Sequence, residues 1–226
     1  MNPSPGASQV FHPEQTRERL IRAAEALFAR KGYARTSIRD ITREASCNVA
    51  AVNYHFATKH NLYREMLARR IATLREQRIS RLEQTVAEAG GKAALEAVLG
   101  SFAEAFLEPL VDESGGRMLM EIMTRELLDP QLPPDFFLSE MILPVEEALT
   151  KAILATQTDI PWRKVRMCVH SFVAQLIHLV RIRRLVQLAS QGKPMDFSLP
   201  ELVSHVVQFS CAGIRAYGAG AGSGQR

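Results

Sequence analysis

Apolar residues return along this chain with helical spacing from residue 14 to residue 217, and no stretch alternates as a half-buried strand would. Leu20, Ala24, Leu27 and Phe28 fall at i, i+4, i+7 and i+8, which predicts an amphipathic helix over 14–31 that stops at Gly32. Ser37 and Asp40 form an S-x-x-D capping box opening a short second helix through Ala45. Ser46-Cys47-Asn48 reads as a turn, and Asn48 as the N-cap of a third short helix from Val49 to Tyr54. Thr58 caps a longer fourth helix with Leu62, Met66, Ile71 and Leu74 on its apolar side, ending near Ala89 before Gly90-Gly91. Further helices follow at 92–108, 115–129, 135–157, 161–190 and 199–217. Glu108-Pro109, the segment from Asp129 to Pro134, Asp159-Ile160-Pro161 and Gly192-Lys193-Pro194 mark the breaks. The expected fold is all-α: a three-helix N-terminal helix-turn-helix domain over 13–60 and a helical second domain over 61–217. Residues 1–12, rich in Pro, Ser and Gly, read as a disordered arm, and 218–226 as a disordered tail.

Helix, three-residue turn, short helix is the geometry that places a second helix in a DNA major groove. With Val52 and Phe56 turned to a core of Ile38, Ile41 and Ala45, the third helix leaves Val49, Ala50, Asn53 and Tyr54 outside. Small residues at Ala50 and Ala51 permit close approach, alanine methyls can pack on a thymine methyl, and Asn53 can read an adenine edge. The bland alternative is a small solvated helix in a bundle. Thr36 and Ser37 at the start of helix two, and Thr58 and Lys59 at the start of helix four, place free backbone N–H groups where a phosphate can sit. Lys59 opposes the helix macrodipole there, a conflict that a facing phosphate resolves. Tyr54 and His55 can donate to phosphate or stack on sugar, and Arg39 can reach a guanine. Arg43 fits a solvated i, i+4 face with Arg39 at least as well.

Charge sharpens this picture. The chain has a formal net charge of +4, unevenly spread: residues 1–83 hold 15 Lys/Arg and 8 Asp/Glu, and the remainder holds 13 and 16. A basic first third beside a slightly acidic remainder suits a polyanion-binding module joined to another function. Cys47, Cys168 and Cys211 are far apart and form no CxxC pair, so a disulfide framework is not expected, and a reducing cytoplasm is the simplest home. The N-terminus has no apolar core of a signal peptide. The apolar stretch from Val165 to Leu188 is interrupted by Arg and His and is not expected to span a membrane.

The stretch from Thr16 to Leu67 resembles the DNA-binding domain of TetR-type repressors. The carrying residues are Ala24, Phe28, Gly32-Tyr33, Thr36-Ser37-Ile38, Ile41, Ala45 and the run Tyr54-His55-Phe56 followed by Lys59 and Leu62. The resemblance implies that Arg39, Val49, Ala50, Ala51 and Asn53 face bases and that Thr36, Tyr54, His55 and Lys59 face phosphates. The chain departs from the pattern at Ser46, where a turn glycine is usual, at Asn53, where tyrosine is common, and at His60-Asn61, which replace an acidic start of helix four. Residues 121–130 and Ile142-Leu143-Pro144 are similar to the CecR-like branch of that family.

About 130 further residues amount to another domain. Family members use it for dimerisation and a small-molecule pocket. The helix at 161–190 is apolar around most of its circumference and that at 199–217 adds Val206, Val207 and Phe209; the pair either joins its copies across a two-fold axis or forms monomer core. Ser171, Gln175 and His178 make a polar stripe at i, i+4 and i+7 that lines a pocket, bridges a dimer seam or forms a satisfied buried network. Phe102, Phe106, Met118 and Ile122 either shape an apolar pocket or are plain core. Glu121 and Arg125 are either a surface pair or a polar anchor in that pocket.

No P-loop, G-x-G-x-x-G, G-x-S-x-G or H-E-x-x-H is present, and the six histidines show no metal spacing, so no enzyme and no cofactor are expected. A nucleoid-type binder would need basic charge over more of the chain. The expected function is a transcriptional repressor bound as a homodimer to palindromic double-stranded operator DNA and released by a small hydrophobic effector. A ligand-independent or activating DNA-binding protein is the alternative.

Overall fold

The computed structural model describes residues 13–111, 116–189 and 197–220. The expected arm at 1–12 lies outside them, as does the expected tail at 218–226 except for 218–220, which the structure places in the last helix rather than in a disordered tail. The described residues form nine α-helices and one π-helical turn: α1 (Pro13–Lys31), α2 (Ile38–Glu44), α3 (Val49–Phe56), α4 (Lys59–Glu88), α5 (Leu95–Val111), α6 (Gly116–Leu128), the π turn (Leu138–Ile142), α7 (Leu143–Thr156), α8 (Trp162–Ala189) and α9 (Leu199–Gly220). The chain divides into two compact units, Met1–Ala68 with Glu121–Leu132, and Arg69–Met120 with Pro133–Arg226.

In the first unit Leu20, Ala24, Leu27 and Phe28 form one buried stripe along α1, against Ile41, Val52, Leu62, Met66 and Leu67. Each large apolar side chain buried this way contributes roughly 1.5–3 kcal/mol. The rings of Phe28 and Tyr63 meet edge to face at 4.8 Å, and Tyr33 joins them at 5.0 Å from Tyr63. Both expected N-caps are present: Ser37 and Asp40 bond reciprocally, and the Asn48 side chain accepts from the Ala51 N–H. Here α6 contributes the buried Glu126, whose carboxylate accepts from the Tyr63 hydroxyl (2.7 Å) and from the backbone N–H groups of Gln131 and Leu132. Burial and this carboxylate push the Tyr63 phenol well above its ordinary range.

The turn between α2 and α3 shows what the missing glycine does. Ser46 takes a positive φ of 50°, the left-handed conformation that favours glycine. It closes a Schellman motif, with Ser46 N–H on the Arg43 carbonyl and Cys47 N–H on the Thr42 carbonyl. Arg19 of α1 donates to the carbonyls of Ala45 and Ser46, so a cation sits at the C-terminal end of α2. The motif therefore keeps its shape without glycine.

In the second unit α8 packs on α7 and α9, and α5 on α9. The core gathers Leu99 and Phe102 of α5, Leu149 and Ile153 of α7, Val169, Phe172 and Leu176 of α8, and Cys211 and Ile214 of α9. Glu146 is buried and paired with Arg166, with His170 at 3.4 Å. Two expectations need correction. Helix α5 does not stop at Glu108 but carries Pro109 through to Val111, at the cost of the hydrogen bond a proline cannot donate. The helix expected at 135–157 opens with the π turn, which adds a residue to one turn before α7 continues. The stretch Trp162–Ile182 of α8 is long and apolar enough to cross a membrane by composition, and 28% of it is buried within the chain.

Replacing Ser46 by glycine is expected to raise the unfolding free energy by up to about 1 kcal/mol, since relief of the left-handed strain outweighs the added freedom of the unfolded chain. A higher urea midpoint with unchanged slope is the expected reading; a lower midpoint contradicts a strained turn.

Candidate nucleic-acid interface

Helix α3 presents two faces. Val52 and Phe56 are buried, whereas Val49, Ala50 and Asn53 are exposed and Tyr54 is 76% exposed. The outward face is small at its start and carries an amide and a phenol further on, chemistry suited to base edges and phosphates. Ala51, expected to face bases, is instead buried against the core and donates its N–H to the Asn48 cap. His55 is half-buried with its ring edge-on to Tyr54 at 4.9 Å, and its Nε2 is buried with no hydrogen-bond partner.

The expected phosphate contacts at the helix starts are rearranged by local hydrogen bonding. Thr36 is buried, and its hydroxyl donates to the Gly32 carbonyl at 2.8 Å. Ser37 is exposed, but its hydroxyl and its N–H both donate to the Asp40 carboxylate, at 2.7 and 3.1 Å. These bonds hold the Asp40 carboxyl below the usual carboxylate range. The start of α2 thus carries an anion from its own first turn, which engages the Ser37 hydroxyl and N–H. Exposed cations flank it instead: Arg39 and Arg43 along α2, and Arg35 in the preceding turn, whose Nε donates to the Lys31 carbonyl.

Lys59 is engaged within the chain. Its ammonium donates to the carbonyls of Tyr33 and Thr36, at 3.1 and 3.0 Å, and stands 4.0 Å from the centre of the Tyr33 ring. Partial burial lowers its pKa. It is half-buried and fastens the loop between α1 and α2 to the start of α4. Asn61, which replaces an acidic residue, donates its side-chain amide to the Phe56 carbonyl and so caps the end of α3, while its N–H bonds the Thr58 hydroxyl. Neither role has a signature in local spacing, because both partners lie outside the residue's own helix; the same holds for Arg19. A lysine misplaced against the α4 dipole was the only hint.

The residues expected at a ligand site fall in both units. Phe102 and Phe106 are buried in the second, where Phe102 packs 6.1 Å from Phe172. Met118 of α6 is half-buried. In the first unit Ile122 is buried, Glu121 is half-buried, and Arg125 lies against Gly32 at the end of α1. Ile122 and Arg125 line a cleft of about 210 Å³ together with Phe28, Tyr33 and Tyr63, smaller than the ~300 Å³ or more of most small-molecule sites. Ser171 and His178 are exposed, and Gln175 is half-buried 3.5 Å from the Ser210 hydroxyl, so the polar stripe is not a buried network.

A helix-turn-helix with an outward reading face, followed by a helical second unit, defines a class of DNA-binding regulators. Residues 20–66 match the family described as bacterial regulatory proteins, tetR family, and residues 95–214 match the C-terminal domain of the HTH-type transcriptional dual regulator CecR. The chain belongs to the TetR family of transcriptional regulators, with a second domain of the CecR type. The match to CecR of Shigella flexneri is 24% identical over 199 residues and covers 86% of this chain and 88% of that protein. A probable regulator of Bacillus subtilis (strain 168), YttP, is 36% identical over 53 residues, so the chain spans about a quarter of that relative's length. Among solved structures, a putative TetR-family regulator from Mesorhizobium loti superposes with a TM-score of 0.66 at 19% identity, covering 92% of this chain and 98% of the other. A putative regulator from Saccharomonospora viridis in complex with choline gives 0.61 at 20% identity, covering 89% and 96%. The family and these neighbours are regulators, not enzymes.

Lys59→Ala is expected to weaken binding to all duplexes while leaving the salt dependence unchanged, because no neutralised phosphate is lost. A slope reduced by about one unit in a salt titration contradicts this and places the ammonium on a phosphate.

Proposed function

We propose that this DNA-binding regulator is a cytoplasmic repressor that holds a palindromic operator as a homodimer and is released by a small hydrophobic or amphipathic effector. The observation that carries the reading is the outward face of α3, with Val49, Ala50, Asn53 and Tyr54 exposed beside Arg39. Asn53 and Arg39 supply directional donors to base edges, and Tyr54 reaches the backbone.

The dimer is supported by unpartnered apolar surface on the last two helices. Met167 and Leu185 of α8, and Phe209 (64% exposed) and Tyr217 of α9, are large hydrophobic residues left in water. Such a surface marks an association site, and two recognition helices must span successive major grooves, about 34–36 Å apart, to read a palindrome. Ser171 and His178 on the exposed side of α8 supply polar contacts for the same seam. Three free cysteines suit a reducing compartment. The choline complex of the Saccharomonospora viridis regulator supports a small-molecule effector as a class. Helices α4 and α6 each contain residues of both units.

Arg39→Ala is expected to cost roughly 1–3 kcal/mol of operator affinity and to relax preference at one base position, measured with single-substitution duplexes. Wild-type affinity and selectivity in that variant contradict the docking. Phe209→Glu is expected to turn a sedimenting dimer into monomers that no longer protect a symmetric site; a wild-type monomer protecting such a site contradicts the dimer.

A further inference from the structure

The apolar stripe of α4 continues in the second unit through Ile71, Leu74 and Leu82, and at the stripe position between the last two stands Arg78. Only 6% of Arg78 is exposed. Its guanidinium carbon lies 4.2 Å from the centre of the Phe106 ring on α5. One amine nitrogen donates 3.5 Å to the Met141 thioether, a weak acceptor, and Nε is buried with no partner. No carboxylate among the described residues pairs with it, whereas the other buried charges that α6 and α7 contribute, Glu126 and Glu146, each meet donors. Burial alone lowers its pKa, to about 10, so it still carries its charge at neutral pH.

An ionised group in an apolar interior without a counter-charge is among the most destabilising arrangements a core can hold. A side chain that merely filled this space would be better served by methionine. Two helix irregularities flank the group: Pro109 lies one turn beyond Phe106, and the π turn carries Met141. Both features interrupt regular helix packing, and π turns recur at functional sites. A second orphan polar atom, Thr150 Oγ1, lies on α7 in the same unit.

We infer that Arg78 is the anion-recognising residue of the effector site and that the effector is an amphipathic molecule bearing a carboxylate. The guanidinium fork matches a carboxylate in a bidentate geometry, and Phe106 and Met141 supply an apolar surround for the rest of the molecule. The effector thereby supplies the counter-charge that the fold withholds. This inference rests on the effector reading above and narrows it to one charge class.

The test uses the full-length protein and two matched probe sets: octanoate, octanol and octylamine, and 2-naphthoate, 2-naphthalenemethanol and 2-naphthylmethylamine. Binding is measured by calorimetry and thermal shift, and operator release by anisotropy of a labelled duplex. At least one carboxylate is expected to bind the wild type roughly tenfold or more tighter than its alcohol, as a charge-assisted hydrogen bond implies. Arg78→Met is expected to raise the melting temperature of the unliganded protein and to abolish the carboxylate preference, while Arg78→Lys retains part of it. The inference is overturned if neither carboxylate outbinds its alcohol, or if the preference survives in Arg78→Met. Operator release by an alcohol or amine but by no carboxylate overturns the inference and leaves the effector reading standing. Carboxylate binding through Arg78 without operator release upholds the site and removes the induction model instead.

Discussion

Seven residues of α2 and eight of α3 are too few to hold themselves in a helix; isolated helices below about 12–15 residues are marginal in water. The two helices persist because each of their ends is tied down. Ser37 and Asp40 close the start of α2, and Arg19 and the Schellman bonds close its end. Asn48 closes the start of α3, and Asn61 its end. Between the caps, Ile41, Val52 and Phe56 press on α1 and α4. Several polar side chains around the two helices, among them Ser37, Asp40, Asn48 and Asn61, are thereby committed to structure, while the outward face of α3 and the flanking arginines remain exposed.

That commitment explains which parts of the site were legible in the sequence. Ser37, Asp40 and Asn48 cap within their own turn, so a spacing of three residues reveals them. The outward and inward faces of α3 follow from the period of the helix, except at Ala51, whose small side chain carries too little pattern to assign it. Lys59, Thr36 and Arg19 act on backbone carbonyls 4 to 27 positions away in sequence. A lysine on a carbonyl and a lysine on a phosphate read identically until the loop between them is placed.

The helical class and the order of elements were equally legible, because apolar stripes persist through α1, α4, α8 and α9. Pro109 misled, since proline usually ends a helix, yet neighbouring packing can carry the helix past one missing bond. The π turn left no trace because a single extra residue does not disturb an apolar pattern read over a longer window. Arg78 interrupts a stripe by one position, which ordinarily signals the helix edge; only the surrounding Phe106 and Met141 place it inside.

The separation of faces on α3 has an evolutionary reach. Ala51, Val52 and Phe56 hold the helix in place, and Val49, Ala50, Asn53 and Tyr54 touch little of the protein. Substitutions at the outer four positions therefore have small effect on folding, since exposed positions away from caps and core tolerate change within about 0.5 kcal/mol. The outward surface of α3 can drift among descendants of this chain, one side chain at a time, while the scaffold beneath remains the same.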